Sequence, residues 1–266
     1  STLEPLLDPL KIRENRLDFS YEEPKEFSAL LKEIRNRRPD GIILDIRLDE
    51  NANSAGDRVD FRGLAVAQEL RTRMTEGVIP SIPIVLWSVV RKFTLSYSND
   101  LTSQHLFDAV YDKERHVTDE PARVARELVD LHDGYARIGK PSNNRESIQA
   151  LLGLSSAEEG LIDPRFGQFE LNPKKVPAHD IVGHVLRTLV IPAGPLISES
   201  YLAARLGVDT KLSDDWLKLL AKVGPHVRYK GIFGKGWPRW WAHKLIGWWE
   251  SLDDKAKRLQ ALEANE

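Results

Sequence analysis

Apolar positions in the first half of the chain alternate between short continuous runs and segments with helical spacing. Three of the short runs end in a polar residue, at Asp45, Ser88 and Lys113. Runs this short and this apolar are typical of strands that are buried in a parallel sheet. The pattern therefore predicts three strands, which span residues 41–45, 84–88 and 109–113.

Apolar residues spaced three or four positions apart predict helices around these strands. Pro39 ends one of these helices and Pro121 lies in the first turn of another, where proline is tolerated. Residues 17–21 alternate between apolar and polar and predict one further strand. Strands that alternate with helices predict an α/β unit over residues 1–138. The predicted helices span residues 1–13, 24–38, 62–74 and 120–138.

The polar residues at the ends of the three strands form the first candidate site. In an open parallel sheet, the carboxyl ends of the strands share one edge, and ligands bind there. We therefore expect a carboxylate, a hydroxyl and an ammonium group to meet, from Asp45, Ser88 and Lys113.

This order of strand-end residues resembles the receiver domain of two-component response regulators, over residues 1–137. The resemblance implies a flavodoxin-like parallel sheet. It also implies that Asp45 accepts a phosphoryl group with the help of bound Mg²⁺. Ser88 and Lys113 would then sense the phosphoryl group, and a histidine kinase or a small phosphodonor would supply it.

Two features depart from the receiver pattern. Receivers hold Mg²⁺ with a pair of acidic residues at the end of their first strand, and no residue of this chain occupies that position. Either that strand lies upstream of Ser1 or the domain lacks it, and Asp45 alone is a weak site for an ion that prefers six oxygen ligands. Residues 49–60 are also longer than the matching receiver segment. Their Asn, Asp and Ser residues predict a solvated loop, which either gates the site, binds a partner or is a plain surface insertion.

Composition limits the classes of protein that fit. The chain has 266 residues, enough for two domains, and its 41% hydrophobic and 29% charged content is typical of a globular protein. The absence of cysteine excludes disulfides, thiolate catalysis and cysteine-ligated zinc. The sequence contains no apolar run of the roughly 18 residues that a membrane span needs, and no leader segment. These features predict a cytoplasmic protein without a membrane partner.

The second half has a different pattern. Residues 139–145 are rich in turn-forming residues and predict a linker to a mostly helical domain over residues 146–266. Two of its predicted helices, residues 198–208 and 213–223, are joined by a turn at Gly207. With Ser198 and Ser213 as predicted N-caps, this pair resembles a helix-turn-helix, and a winged-helix-like domain is one interpretation. Further helices are predicted at residues 145–154 and 178–190.

Residues 227–249 are rich in tryptophan and basic residues. From Lys211 to Trp249, eight Lys and Arg residues face two Asp residues, whereas the whole chain carries a net charge of −2. This local excess predicts an anionic partner, and residues 230–236, here called the glycine-rich turn, could form a wing that contacts phosphate. A protein-interaction surface explains the same composition equally well. The candidate binding residues are Lys218, Lys222, Arg228, Lys230, Lys235, Trp237, Arg239 and Trp240.

The combined interpretation is a response-regulator-like signalling protein without enzymatic activity. Its receiver-type domain, phosphorylated at Asp45 or degenerate, controls a C-terminal output part that binds DNA or a protein, with a homodimer as one assembly. The alternative is a pseudo-receiver adaptor subunit of a multi-gene bacterial stress or phage-defence system. An enzyme is disfavoured because the sequence lacks a P-loop, a nucleophile elbow and a His-Glu-x-x-His motif. His179 and His184 lack the i, i+4 spacing of a helical zinc site.

Overall fold

The protein has a mixed α/β architecture. The computed structural model describes residues 4–50, 52–89, 105–113, 115–139, 147–161 and 176–263. The strands are β1 (Ile42–Asp45), β2 (Ile84–Ser88), β3 (Ala109–Asp112), β4 (Leu196–Ile197) and β5 (Trp240–Trp241). The helices before residue 139 are α1 (Glu4–Arg13), α2 (Phe27–Arg37), α3 (Gly63–Thr75), α4 (His116–Asp119) and α5 (Pro121–Ile138). The later helices are α6 (Ile148–Leu152), α7 (Ala178–Val185), α8 (Glu199–Arg205), α9 (Trp216–Val227) and α10 (Ala242–Glu263).

The first three strands form one parallel sheet in the order β1-β2-β3. All five residues of β2 are buried, as expected for a central strand that is covered on both faces. Because side chains alternate along a strand, Ile84 and Leu86 point to one face and Val85 and Trp87 to the other. The three strands predicted from the sequence are therefore confirmed.

Helices cover both faces of this sheet. Helices α2 and α3 pack on the face of Ile84 and Leu86, with Leu70 of α3 fully buried there. The opposite face packs against α1, α5 and α7, with Leu131 of α5 fully buried. The four helices predicted in this half are confirmed to within a few residues, and Pro121 lies at the start of α5 as predicted.

The prediction of a strand at residues 17–21 is wrong. These residues form no strand, and the amide of Leu17 donates to the carbonyl oxygen of Glu14 instead. Leu17 and Phe19 still pack against the core. The alternation of apolar residues therefore buries one side of this segment without any pairing of its backbone in the sheet.

A buried ion pair joins α3 to the amino ends of the sheet strands and to α5. Nη2 of Arg71 lies 2.9 Å from Oδ2 of Asp108, and both side chains are buried. Tyr135 of α5 donates to Asp108 at 2.9 Å, and the backbone amide of Ile84 donates to the same carboxylate at 2.9 Å. Burial alone would lower the pKa of Arg71, but Asp108 outweighs this effect and the pKa is raised. The pair is therefore charged and fully hydrogen-bonded.

The C-terminal half is mostly helical, with one short antiparallel pair of strands. Strand β4 pairs with β5, and Arg228 forms a further bridge to Trp240. Helix α7 continues as a π-helical turn over Leu186–Val190. The predicted helices at residues 145–154, 178–190 and 198–208 are confirmed.

The turn between α8 and α9 differs in part from its prediction. The hydroxyl of Ser198 caps α8 and Gly207 has a positive φ of 70°, both as predicted. However, Ser213 does not cap α9, which begins at Trp216. The buried indole of Trp216 donates to Glu199 of α8 at 2.7 Å, and this tertiary bond fixes where the helix starts.

The two halves share one hydrophobic core. Trp87 of the sheet belongs to the same buried cluster as Val182 of α7 and Phe233 of the glycine-rich turn. Residues 140–145 of the predicted linker lie outside the described residues. Among the helices that the structure describes, none combines the length and the apolar character needed to cross a bilayer.

Candidate functional site

Asp45 and Lys113 are in direct contact at the carboxyl edge of the sheet. Asp45 is the last residue of β1, and Lys113 follows β3. Nζ of Lys113 lies 2.5 Å from Oδ2 of Asp45, and both side chains are mostly buried. Since β2 lies between these strands, the long lysine side chain spans the end of β2 to reach the carboxylate. The structure therefore brings together two residues that are 68 positions apart.

Ser88 ends β2 at the same edge. It is 2% exposed, and its hydroxyl lies 3.4 Å from the carbonyl oxygen of Val89. The backbone carbonyl of Ser88 accepts from the amide of Lys113 at 3.0 Å, which fixes the start of the segment that carries the ammonium group. The carboxylate, hydroxyl and ammonium residues thus share one edge, and only the first and last are in direct contact.

Three further residues lie close to Asp45. The backbone amide of Arg47 lies 3.4 Å from Oδ1 of Asp45. Burial raises the pKa of Tyr21, and the nearby charges of Glu23 and Asp45 raise it further. Glu23 in turn accepts from the backbone amide of Ser54 at 2.9 Å. It therefore ties the loop that follows Asp45 to the segment before α2.

Sequence reasoning missed Tyr21 and Glu23 because it placed this segment in a strand elsewhere in the sheet. The available signal was the pair of adjacent acidic residues Glu22 and Glu23 directly before α2. Glu22 is engaged in ion pairs with Lys25 at 2.6 Å and Arg37 at 2.8 Å. It therefore serves to hold α2 rather than to face Asp45.

The donor set around Asp45 does not fit the Mg²⁺ that receivers bind. One carboxylate oxygen is paired with the ammonium of Lys113, and Arg47 adds positive charge nearby. The guanidinium of Arg47 also occupies Asp49 through two bonds of 2.9 Å. Mg²⁺ prefers six oxygen ligands, and in the part of the chain that is described no group of three His, Cys, Asp or Glu side chains could hold a metal.

The basic candidates of the C-terminal half fall into two groups. Lys218 and Lys222 are exposed on α9, and Lys218 pairs with Asp215 at 2.6 Å. Arg228, Lys230 and Lys235 are exposed around the glycine-rich turn. These five cations are therefore available at the surface, on α9 and beside the turn.

Three other candidates serve the fold. Trp240 is 1% exposed, so its indole belongs to the core and cannot meet a partner. The guanidinium of Arg239 donates to the carbonyl oxygens of Val190 and Pro238 at 2.7 and 2.9 Å. Trp237 is half-buried and packs edge-on against Phe233, with ring centroids 6.3 Å apart. Tryptophan and arginine content alone did not reveal these buried roles.

The glycine-rich turn does not project as a wing. The ring of Phe233 fits against Gly134 of α5, where a Cβ would stand 2.1 Å from the ring. Asp130 of α5 accepts from the backbone amides of Lys235 at 3.0 Å and Gly236 at 2.7 Å. The turn is therefore pressed onto α5, because its glycines allow the backbone to approach the helix closely.

Helix α10 has exposed apolar side chains on its surface. Ile246 is 54% exposed, Trp249 57% and Leu252 41%. Residues three apart lie on the same side of a helix, so these three form an apolar stripe.

Comparisons of this chain with protein-family models, with curated proteins and with solved structures find no match.

Proposed function

We propose that this chain is a receiver-like signalling protein whose sheet edge is controlled by partner binding rather than by phosphorylation. The observation that carries the proposal is the ion pair between Asp45 and Lys113, which joins the two residues that a receiver uses to accept and sense a phosphoryl group. The parallel β1-β2-β3 order is consistent with a flavodoxin-like sheet. The poor fit of the site to Mg²⁺ favours the degenerate, pseudo-receiver form.

The C-terminal half supports an output role. After α7, the chain runs through β4, α8, α9, the bridge at Arg228, the glycine-rich turn and β5. This order corresponds to a helix-turn-helix followed by a hairpin, as in winged-helix DNA-binding domains. The second helix of such a pair reads the major groove, so α9, with exposed Lys218 and Lys222, is the proposed DNA-binding helix.

Helix α5 is the proposed connection between the two halves. It follows the segment of Lys113 after one short helix, and it holds the glycine-rich turn through Asp130 and Gly134. A change in the ion pair at Asp45 can therefore reach the output part through one packed helix. Two states that differ in the position of α5 would couple the sheet edge to α9.

The Asp45–Lys113 ion pair is the first point of test. We expect Lys113→Met to increase hydrogen exchange in α5 by several-fold, because the segment before the helix loses its anchor to β1. Lys25→Met, which removes an ion pair on α2, serves as the control and should leave α5 unchanged. We also expect no mass gain when the protein is incubated with acetyl phosphate and Mg²⁺. A gain of one phosphoryl group that Asp45→Asn abolishes would contradict control by partner binding.

DNA binding by α9 is tested with a double variant. We expect Lys218→Ala with Lys222→Ala to weaken duplex binding and to lower the slope of log K against log salt by about 1 per lost phosphate contact. The matched control is Lys32→Ala with Arg35→Ala, which removes two exposed charges from α2. Equal losses in both double variants, or a slope that does not change, would argue against α9 as the DNA-binding helix.

The apolar stripe of α10 favours a second candidate function, a protein–protein adaptor. Exposed apolar patches of this kind often mark protein contacts. In that case duplex DNA would not bind at all, and the two double variants would behave like the unmodified protein.

A further inference from the structure

A cavity lies between α5 and the glycine-rich turn, away from both Asp45 and α9. Its volume is about 550 Å³, which is within the range of small-molecule sites. It exists because Gly231 and Gly234 bring the turn's backbone against the helix while leaving its own side chains around the rim. The cationic residues that line it are Arg137, Arg228, Lys230 and Lys235.

Two carboxylates also line the cavity, and both have partners. Asp130 accepts from the backbone amides of Lys235 and Gly236, and its charge also acts on the Lys235 ammonium. Asp133 forms a two-bond pair with Arg16, at 2.6 and 3.1 Å. Four cations against two carboxylates leave an excess of two positive charges on the cavity wall.

The cations of the cavity are well placed for an anion. Lys230 and Lys235 are exposed, and neither forms an ion pair with any described residue. The guanidinium of Arg228 is held over the ring of Trp240, 5.6 Å from its centroid, so its direction is fixed. Arg137 donates to the carbonyl oxygen of Ala150 at 3.4 Å, which anchors it on the opposite side. Positioned guanidinium and ammonium groups are the usual partners of phosphate oxygens.

Tyr229 adds a neutral donor to the same cavity. It is 1% exposed, and its hydroxyl has no hydrogen-bond partner among the described residues. A Cβ on Gly231 would stand 2.3 Å from this hydroxyl, so only glycine leaves room for it. Burial raises the pKa of Tyr229, which therefore stays protonated at neutral pH. A buried hydroxyl without a partner is costly, and a ligand oxygen in the cavity would satisfy it.

We propose that this cavity binds a small molecule that carries two or more phosphate groups. Four cations exceed the charge of a single phosphate monoester, and a concave site of this volume suits a free ligand better than a rigid duplex. The ligand would contact α5 and the glycine-rich turn together, and so would stabilise their contact. The proposal uses neither the ion pair at Asp45 nor α9, so it stands or falls independently of the proposed function.

The test measures binding of sodium tripolyphosphate and of pyrophosphate to the full chain by calorimetry at physiological salt. We expect Lys230→Ala with Lys235→Ala to weaken tripolyphosphate binding by about tenfold or more, since charge-assisted bonds are lost. Lys218→Ala with Lys222→Ala removes the same charge from α9 and should change it by less than about twofold. Tyr229→Phe should weaken binding by about fivefold while near-ultraviolet circular dichroism stays unchanged.

Several results would overturn the proposal. One is no detectable heat with either probe at millimolar concentration, and another is an equal loss in the two double variants, which would indicate non-specific attraction. Unchanged affinity in Tyr229→Phe would remove the hydroxyl from the site and leave only surface charge. Displacement of tripolyphosphate by duplex DNA, with DNA affinity lost in the Lys230 and Lys235 double variant, would assign these residues to nucleic acid instead.

Discussion

Replacing Asp108 with alanine is expected to lower the free energy of unfolding by about 3–5 kcal/mol, because it leaves the buried guanidinium of Arg71 without its partner. Arg71 and Asp108 are each 6% exposed, so water cannot take over the lost bonds. The variant also removes the acceptor of Tyr135 and of the Ile84 amide. Chemical denaturation followed by circular dichroism measures the change.

A surface ion pair provides the control for this prediction. Asp133→Asn breaks the pair with Arg16, whose side chain is about half exposed, and should cost less than about 1 kcal/mol. Replacing both buried partners, Arg71→Met with Asp108→Leu, should recover much of the loss, since no charge is then left unpaired. Equal losses in Asp108→Ala and Asp133→Asn would contradict a buried, structurally essential pair.

Replacing Phe233 with alanine is expected to cost about 3–5 kcal/mol, because the ring is fully buried and fills the space left by Gly134. The loss should be accompanied by faster hydrogen exchange at the amides of Lys235 and Gly236, since the turn loses its main apolar contact with α5. Denaturation and exchange mass spectrometry test both effects.

Two comparisons make the Phe233 prediction specific. Trp249→Ala removes a larger ring that is 57% exposed and should change stability by no more than about 0.5 kcal/mol. Gly134→Ala should itself cost about 1–3 kcal/mol, because its Cβ would overlap the ring. Stability of Phe233→Ala equal to that of Trp249→Ala would show that the turn does not depend on this contact.

The sheet and its edge followed directly from the sequence. The runs that end at Asp45, Ser88 and Lys113 are short and apolar, and such runs have few structures open to them other than a buried parallel strand. Their order along the chain then determines which side chains share the carboxyl edge. The contact between Asp45 and Lys113 could therefore be predicted without coordinates.

The errors arose where tertiary packing decides the outcome. Glycine spacing in residues 230–236 is the same for a free wing and for a turn pressed against a helix, and only Gly134, about a hundred residues away, distinguishes them. Likewise, the burial of Trp240 depends on its pairing with β4. Residues 17–21 alternate like a strand, but no described strand pairs with them. Local patterns report which side is apolar and not what covers it.

The fit of Phe233 at Gly134 also restricts how the two halves can move. A position without a side chain accepts the ring at one point along α5 only, like a key that enters a single notch. The helix cannot slide by one residue past the turn unless the ring is expelled, and Asp130 resists such sliding through its two backbone bonds. Any displacement that starts beside β3 must therefore carry the C-terminal half along as a rigid lever instead of being absorbed by slippage.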